Sequence, residues 1–288
     1  MSHRFNLLAL FSLCVLVFAC SSGPKVSTSE RQFGDAKNNI ASSDFKAALD
    51  NLSGAIKSTT DDSLRQQATI LRIALVTALA DANEQMGEAY YVGAKQPFAR
   101  QQSAGFYKER SDYNNAARAY LMEAMQAVMD QRSKLGANPV SLAVPFPGFT
   151  GGTDPAIAKI RNGQLVSDAE RINAELQVER NCLAHVLAGL AGNDENLNKA
   201  QEQFNAGKVD VDSRVYLVSL SDDFLRIGAM FDSHGVNDPD RFRVVNQVVK
   251  GNLDAATKLL TARPDKDLES RIKKMQGDCD KCLKKLGA

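Results

Sequence analysis

The chain reads as an all-α protein, and three observations predict it. Apolar and small residues recur at steps of three and four over long stretches. No proline stands between Lys25 and Gln96, and no segment shows sustained alternation of β-branched residues. The elements follow in order. Ser63 is placed to cap a long helix, in which Leu64, Ala68, Leu71, Leu75, Leu79, Ala82, Met86 and Ala89 form one amphipathic seam. Pro97 interrupts it. A second long helix carries Ala117, Leu121, Ala124, Val128 and Leu135 and is stopped by Gly136.

The stretch from Gly136 to Pro155, GANPVSLAVPFPGFTGGTDP, differs from its flanks. Four prolines and four glycines exclude helix and any central strand, so 136–155 is read as a loop. Asp154-Pro155 then suits a helix start, with Asp as cap and Pro in the first turn. A third helical stretch carries Ala169, Ile172, Leu176, Leu183, Val186 and Leu190, and Gly192-Asn193-Asp194 marks its end. Further helices are expected near 195–206, 212–232, 239–250, 252–262 and 265–286, with Asp212 or Ser213 and Asp238 as caps.

The first residues, MSHRFNLLALFSLCVLVFACSSG, place Arg4 before an apolar run from Phe5 to Ala19. As a helix that run spans roughly 22 Å, short of the roughly 30 Å hydrocarbon core, and it ends at a small residue as a secretory signal does. Val17-Phe18-Ala19-Cys20 resembles the lipobox of bacterial lipoproteins. The resemblance implies a signal peptide at 1–19, cleavage after Ala19, and a lipidated Cys20. Ser21, with no Asp in that place, implies by the same resemblance an outer-membrane anchor facing the periplasm. Residues 20–30, rich in Ser and Thr, then read as a flexible tether, and 31–288 as the helical domain.

Loss of Arg4 with the leader takes the basic count from 35 to 34, against 34 acids. A formal net charge of zero gives no basic footprint for nucleic acid and no field to steer a charged partner. A hydrophobic content of 44% is ample for a packed core.

Two family resemblances lie in the helical part. Ser43-Asp44-Phe45-Lys46-Ala47-Ala48, with Leu52 and Ala55, resembles the second helix of a tetratricopeptide repeat, and Ala36 stands at the small position of its first helix. Asp112-Tyr113 with Ala116 and Tyr120 repeats part of the pattern, 68 residues on from Phe45 and so at twice the 34-residue period. Gly251-Asn252-Leu253 with Ala256 and Leu260 repeats it again. The fold expected is therefore a set of TPR-like helical hairpins or an irregular helical bundle. Glu88-Ala89-Tyr90, Phe98, Asp112-Tyr113, Ala116 and Ala119-Tyr120-Leu121, with Gly151-Gly152-Thr153-Asp154-Pro155, are similar to the periplasmic TPR-like lipoprotein associated with TRAP-type solute transporters. That likeness implies a solute-handling accessory.

The candidate chemistry is sparse. Cys279 and Cys282 form a CxxC that could be a disulfide or a redox pair in an oxidising compartment, but Leu268, Ile272, Met275, Cys279, Cys282 and Leu286 also form one apolar stripe, which makes both cysteines core residues. Cys182 is an odd thiol read as buried or half-buried. His185 reads as a structural histidine within the third stretch. His234 lies in an oxygen-rich loop whose Gly235, Asn237 and Asp238 suit turn and cap duty, without the spacing of an EF-hand. No phosphate-binding, dinucleotide or serine-nucleophile motif is present, and no metal or cofactor is implied. The loop residues Leu142, Val144, Phe146 and Phe149 have two readings. They pack into a groove of the helices, or they form a proline-braced finger that offers Phe146 and Phe149 to a partner or to lipid. The function expected is a non-enzymatic, lipid-anchored helical scaffold that binds another envelope protein. A transporter accessory with a small ligand between helices, and a thiol-redox protein, stand as alternatives.

Overall fold

A computed structural model describes residues 26–193, 196–232 and 238–287. The leader, Cys20 and most of the tether lie outside the described residues, as do Asp194, His234, Gly235 and Asn237. Within them the fold is all-α, and no described helix is long and apolar enough to cross a membrane.

Helix α1 (Thr28–Ser42) begins earlier than the tether reading allowed. Ser27 and Glu30 form a capping box: the Ser27 N–H donates to the Glu30 carboxylate at 2.8 Å, and the Glu30 N–H donates to Ser27 Oγ at 3.2 Å. Thr28 to Glu30 are therefore the first helical turn. A tight turn with Ser43 in the left-handed region (φ 63°) leads into α2 (Phe45–Ser58). Phe33, Ala36 and Ile40 are buried along α1, and Phe45, Ala48, Leu52 and Ala55 along α2. The alanines let the two backbones approach, so the first TPR-like segment is a helical hairpin.

Helix α3 (Asp62–Ala94) and α4 (Ser103–Arg132) form a second, much longer antiparallel hairpin. Asp61, rather than Ser63, caps α3, accepting the Ser63 N–H at 2.8 Å. Nor is α3 amphipathic along its middle. Ile70, Ile73 and Val76, which lie off the expected seam, are as buried as Leu71, Leu75 and Leu79. The reason is position: α2, α4, α6 (Asp168–Leu190) and α8 (Ser213–Gly228) all pack on α3. A helix enclosed on every side needs no polar face.

The remaining elements complete the shell. Asp154 caps the short α5 (Pro155–Arg161), which is separate from α6. Helix α7 (Leu197–Asn205), β2 (Val209–Val211) and α8 follow, then α9 (Pro239–Leu260) and α10 (Lys266–Lys285). The loop at 136–155 contains a strand, β1 (Val140–Leu142), paired antiparallel with β2 so that Val140 faces Val211 and Leu142 faces Val209. Three residues on each side are too few for a period to show in sequence.

Two of the three TPR-like segments do not turn where the pattern places a turn. Asp112-Tyr113 lies inside α4, and Gly251-Asn252 inside α9. Helices expected at 239–250 and 252–262 are thus one. Gly251 has a different task from a helix stop: a Cβ there would run into the Arg132 guanidinium of α4. The result is an irregular array of unequal helices around α3.

The core has two parts. The larger joins all helices except α5. The smaller lies at the C-terminal end of α3, where Met86, Tyr90 and Ala94 meet Phe106 of α4 and Ile157 and Ile160 of α5. Gly93 is the close-approach point, since a Cβ would collide with the Ile160 carbonyl oxygen and lie 2.7 Å from the Phe106 ring. Both neighbours are held, one by backbone and one by a buried ring. Gly93→Ala is therefore expected to lower stability by about 1–3 kcal/mol despite alanine's better helix propensity, as read by urea denaturation.

A polar pocket and an aromatic ridge along helix α6

Four helices converge on a polar pocket of about 370 Å³. Helix α3 supplies Asp81 and Gln85, one turn apart, and α6 supplies His185 at the exposed edge. From α8, Ser219, Asp222, Asp223 and Arg226 recur at helical steps, so one face lines the pocket, and α10 adds Arg271. Asp81 is 1% exposed, the one buried carboxylate among the described residues. An isolated charge there would be costly, and Arg226 removes that cost by donating to Asp81 and, at 2.8 Å, to Asp223. Burial opposes the Arg226 charge, but Asp81 and Asp223 outweigh it and hold its pKa above the ordinary range. Arg271 donates to Asp222. The pocket's charged pairs are thus engaged with one another, which leaves His185, Gln85 and Ser219 as the polar groups toward a small polar molecule.

Beneath the pocket lies Cys182, buried as its sequence reading allowed, with Gln85 Nε2 donating to its sulfur at 3.4 Å. Burial, and then Asp81, push this thiol well above its usual pKa, so it stays protonated and poorly nucleophilic. Sequence reasoning missed Asp81 and Arg226. A signal existed for the first: an acid set within the mostly apolar run Ile73 to Ala82 is buried and must find a cation.

The loop residues divide. Leu142 is fully buried and Val144 is 5% exposed, so these two candidates for partner contact belong to the protein's own core, fixed there by the β1–β2 pairing. Phe146 and Phe149 are half-buried. Phe146 rests on Phe204 of α7, ring centroids 5.5 Å apart, and Phe149 meets Phe146 edge to face at 6.5 Å. The loop is pinned just beyond them. The Thr150 N–H donates to Asn181 Oδ1 at 2.9 Å, and Asn181 Nδ2 donates back to the Thr150 carbonyl at 3.2 Å. Asn181 stands one turn before His185 on α6, so the aromatic ridge and the rim of the pocket share that helix.

Cys279 and Cys282 are separate thiols, and the disulfide offered by their spacing is not made. Cys279 continues the buried stripe Leu268, Ile272 and Met275, and burial raises its pKa to about 11. Cys282, half-buried, is raised for the same reason. The stripe reading of α10 therefore holds as far as Cys279. His185 is exposed. Among the described residues, no group of three or more His, Cys, Asp or Glu is placed to hold a metal ion.

Two acids near the pocket and along α6 are also shifted. Burial raises Glu84, with Asp81 and Glu88 adding to it, and burial then Glu175 raise Glu179; each reaches about 7. The folded state therefore holds these protons more tightly than the unfolded chain. Stability contributed by the protonated forms is present below the unfolded value near 4.5 and is lost as pH rises through about 7. Melting temperature should fall over that window, and the Glu84→Gln, Glu179→Gln double variant should flatten the fall. Replacing Arg226 by Ala leaves Asp81 buried without its cation. We expect a loss of about 2–3 kcal/mol, below the usual range for a buried pair because half of Arg226 sees water, with much of it recovered by adding Asp81→Asn. Thermal and urea denaturation read both. No family model, curated protein or solved structure matches the chain, so its function has to be read from these residues themselves.

Proposed function

We propose that the chain is a lipid-anchored helical scaffold of the bacterial envelope, and that it binds another envelope protein along α6. The observation that carries the reading is the pinned aromatic ridge. Phe146 and Phe149 are held half-exposed by buried neighbours on one side and by the Thr150–Asn181 bonds on the other. Such a pair is ordered before any partner arrives, so little conformational entropy is lost on binding. Aromatic anchors of this kind supply the central contacts of protein interfaces. The anchor itself rests on Cys20 following the leader, and its acyl chains would contribute about 0.8 kcal/mol per buried methylene. Engagement of the pocket's acids with arginines supports binding over chemistry, because Asp81, Asp222 and Asp223 each have an arginine beside them.

The two phenylalanines have different tests. Phe146 packs on the core through Phe204, so Phe146→Ala should lower the melting temperature and does not probe binding cleanly. Phe149→Ala should leave the melting temperature within a few degrees while reducing recovery of the partner from detergent-solubilised envelope at least tenfold. Labelled palmitate should enter the wild-type chain and not Cys20→Ala. Equal partner recovery by Phe149→Ala and wild type would sink the ridge as the binding site, and absence of label from the wild type would sink the anchor.

A further inference from the structure

The end of the α3–α4 hairpin carries a surface that neither the core nor the α6 site uses. It is built from the C-terminal turn of α3, the connection through the 3-10 turn Pro97–Ala99, the first turns of α4, and α5 with the loop after it. Tyr90 and Phe106 lie beside Gln164, Leu165 and Val166 in one small pocket, so the two segments adjoin. Beneath them sits the smaller core of Phe106, Ile157 and Ile160, which makes the platform rigid.

Three large apolar side chains project from this platform: Phe98 is 79% exposed, Leu165 64% and Tyr107 45%. Val26, Met122 and Ile172 are the other exposed large apolar side chains among the described residues. Charge on the same surface is mixed at its pocket, where Glu109 and Asp168 stand beside Leu165 and Asp168 pairs with Arg171, and is positive beyond it. No Asp or Glu stands between Glu88 and Glu109, nor between Asp154 and Asp168, whereas Lys95, Arg100, Lys108, Lys159 and Arg161 all fall inside those intervals. In a chain with nearly equal acids and bases this is a local excess of positive charge. Lys108 is paired with Asp112 and Lys159 with Glu170, at the edges of the surface. Lys95 lies over the Tyr91 ring at 3.5 Å. Arg100 and Arg161 are exposed and enter no ion pair among the described residues.

We propose that this hairpin end docks on an anionic lipid surface, with Phe98 and Leu165 entering the headgroup region and the surrounding Lys and Arg side chains contacting lipid phosphates. A bilayer fits better than a protein partner. Phe98, Leu165 and Tyr107 are all well exposed, and the long flexible cations of the same segments reach headgroups wherever these lie. Each such cation near an anionic surface contributes about 1 kcal/mol, so Arg100, Arg161 and Lys95 together are worth on the order of a hundredfold in affinity. The first residues of α1 lie beside the start of α3, where Ser27 to Glu30 adjoin Ser58 to Leu64. Helix α3 has 33 residues and so runs about 50 Å from there to the basic end. A chain held near its N-terminus and touching lipid at this end would lie along the membrane. The proposal does not rest on acylation of Cys20 or on the α6 ridge.

The sequence contains no tryptophan, so Phe98→Trp places a single reporter at the apex. The full chain carrying it is mixed with vesicles of phosphatidylcholine alone or with added phosphatidylglycerol. The apolar leader can bring the protein to either vesicle, so sedimentation does not decide; the emission of the reporter does. We expect a blue shift, and quenching by brominated acyl chains, only with phosphatidylglycerol, and the same result for Leu165→Trp. Met122→Trp, midway along α4, should stay unshifted. Adding Lys95→Glu, Arg100→Glu and Arg161→Glu to the Phe98→Trp chain should abolish the shift. Unshifted emission at both apical positions on phosphatidylglycerol vesicles overturns the proposal. So does an equal shift on both lipids, a shift that survives the three charge reversals, or a shift that appears only when an acidic protein is supplied.

Discussion

Burial of helix α3 on every side is the constraint from which the rest of the structure follows. From Ile70 to Ala82 its side chains, Arg72 excepted, are enclosed by α2, α4, α6 and α8. Alanines at positions 68, 74, 78, 80 and 82 keep those neighbours close, and the larger aliphatic residues fill the gaps between them. A helix so enclosed cannot carry an unpaired charge. Asp81 therefore dictates that α8 present Arg226 at the same level, and Asp223 beside it completes the pairing. Docking of α8 on α3 is in this way fixed by electrostatics as well as by packing.

The pocket is a consequence of that pairing. Helices that meet through charged groups cannot close as tightly as helices that meet through alanine, and the space left over is lined by Gln85, Ser219 and His185. The Pro/Gly loop solves a related problem one turn away on α6. Its prolines prevent helix, so its backbone must find partners elsewhere. Val140 to Leu142 take theirs from β2, and Thr150 takes its own from Asn181. Between these two fixed points the chain has only a short span, and Phe146 and Phe149 fall within it. Rigidity in this ridge comes from its ends.

Legibility in the sequence varied with the kind of signal. The apolar stripe of α10 was plain, because one face of that helix packs and the other meets water, and Cys279 falls in it. The caps at Asp212 and Asp238 were legible too, since they act on residues two or three positions away. By contrast the glycine at 251 read as a stop and proved to be a contact with Arg132, a residue more than a hundred positions distant. Alanine spacing at 112–120 and 251–260 copied a repeat pattern without its turns, because small residues serve any close pair of helices. Leu142 and Val144 kept two readings in sequence. The choice between them fell to β2, a strand whose existence depends on the same pairing.

The sequence by itself determined that the described chain is helical, where most helices begin, and which stretch is not helix. These follow from local rules: side-chain periodicity, capping within one turn, and the backbone limits of proline. Tertiary structure alone decided that α3 is enclosed, that Asp81 meets Arg226, and that the acid-free stretches 89–108 and 155–167 form one surface. Each of these joins residues far apart in the chain, and the free energy that selects them is that of burying apolar area and pairing charge. That energy becomes defined only once all the helices are in place.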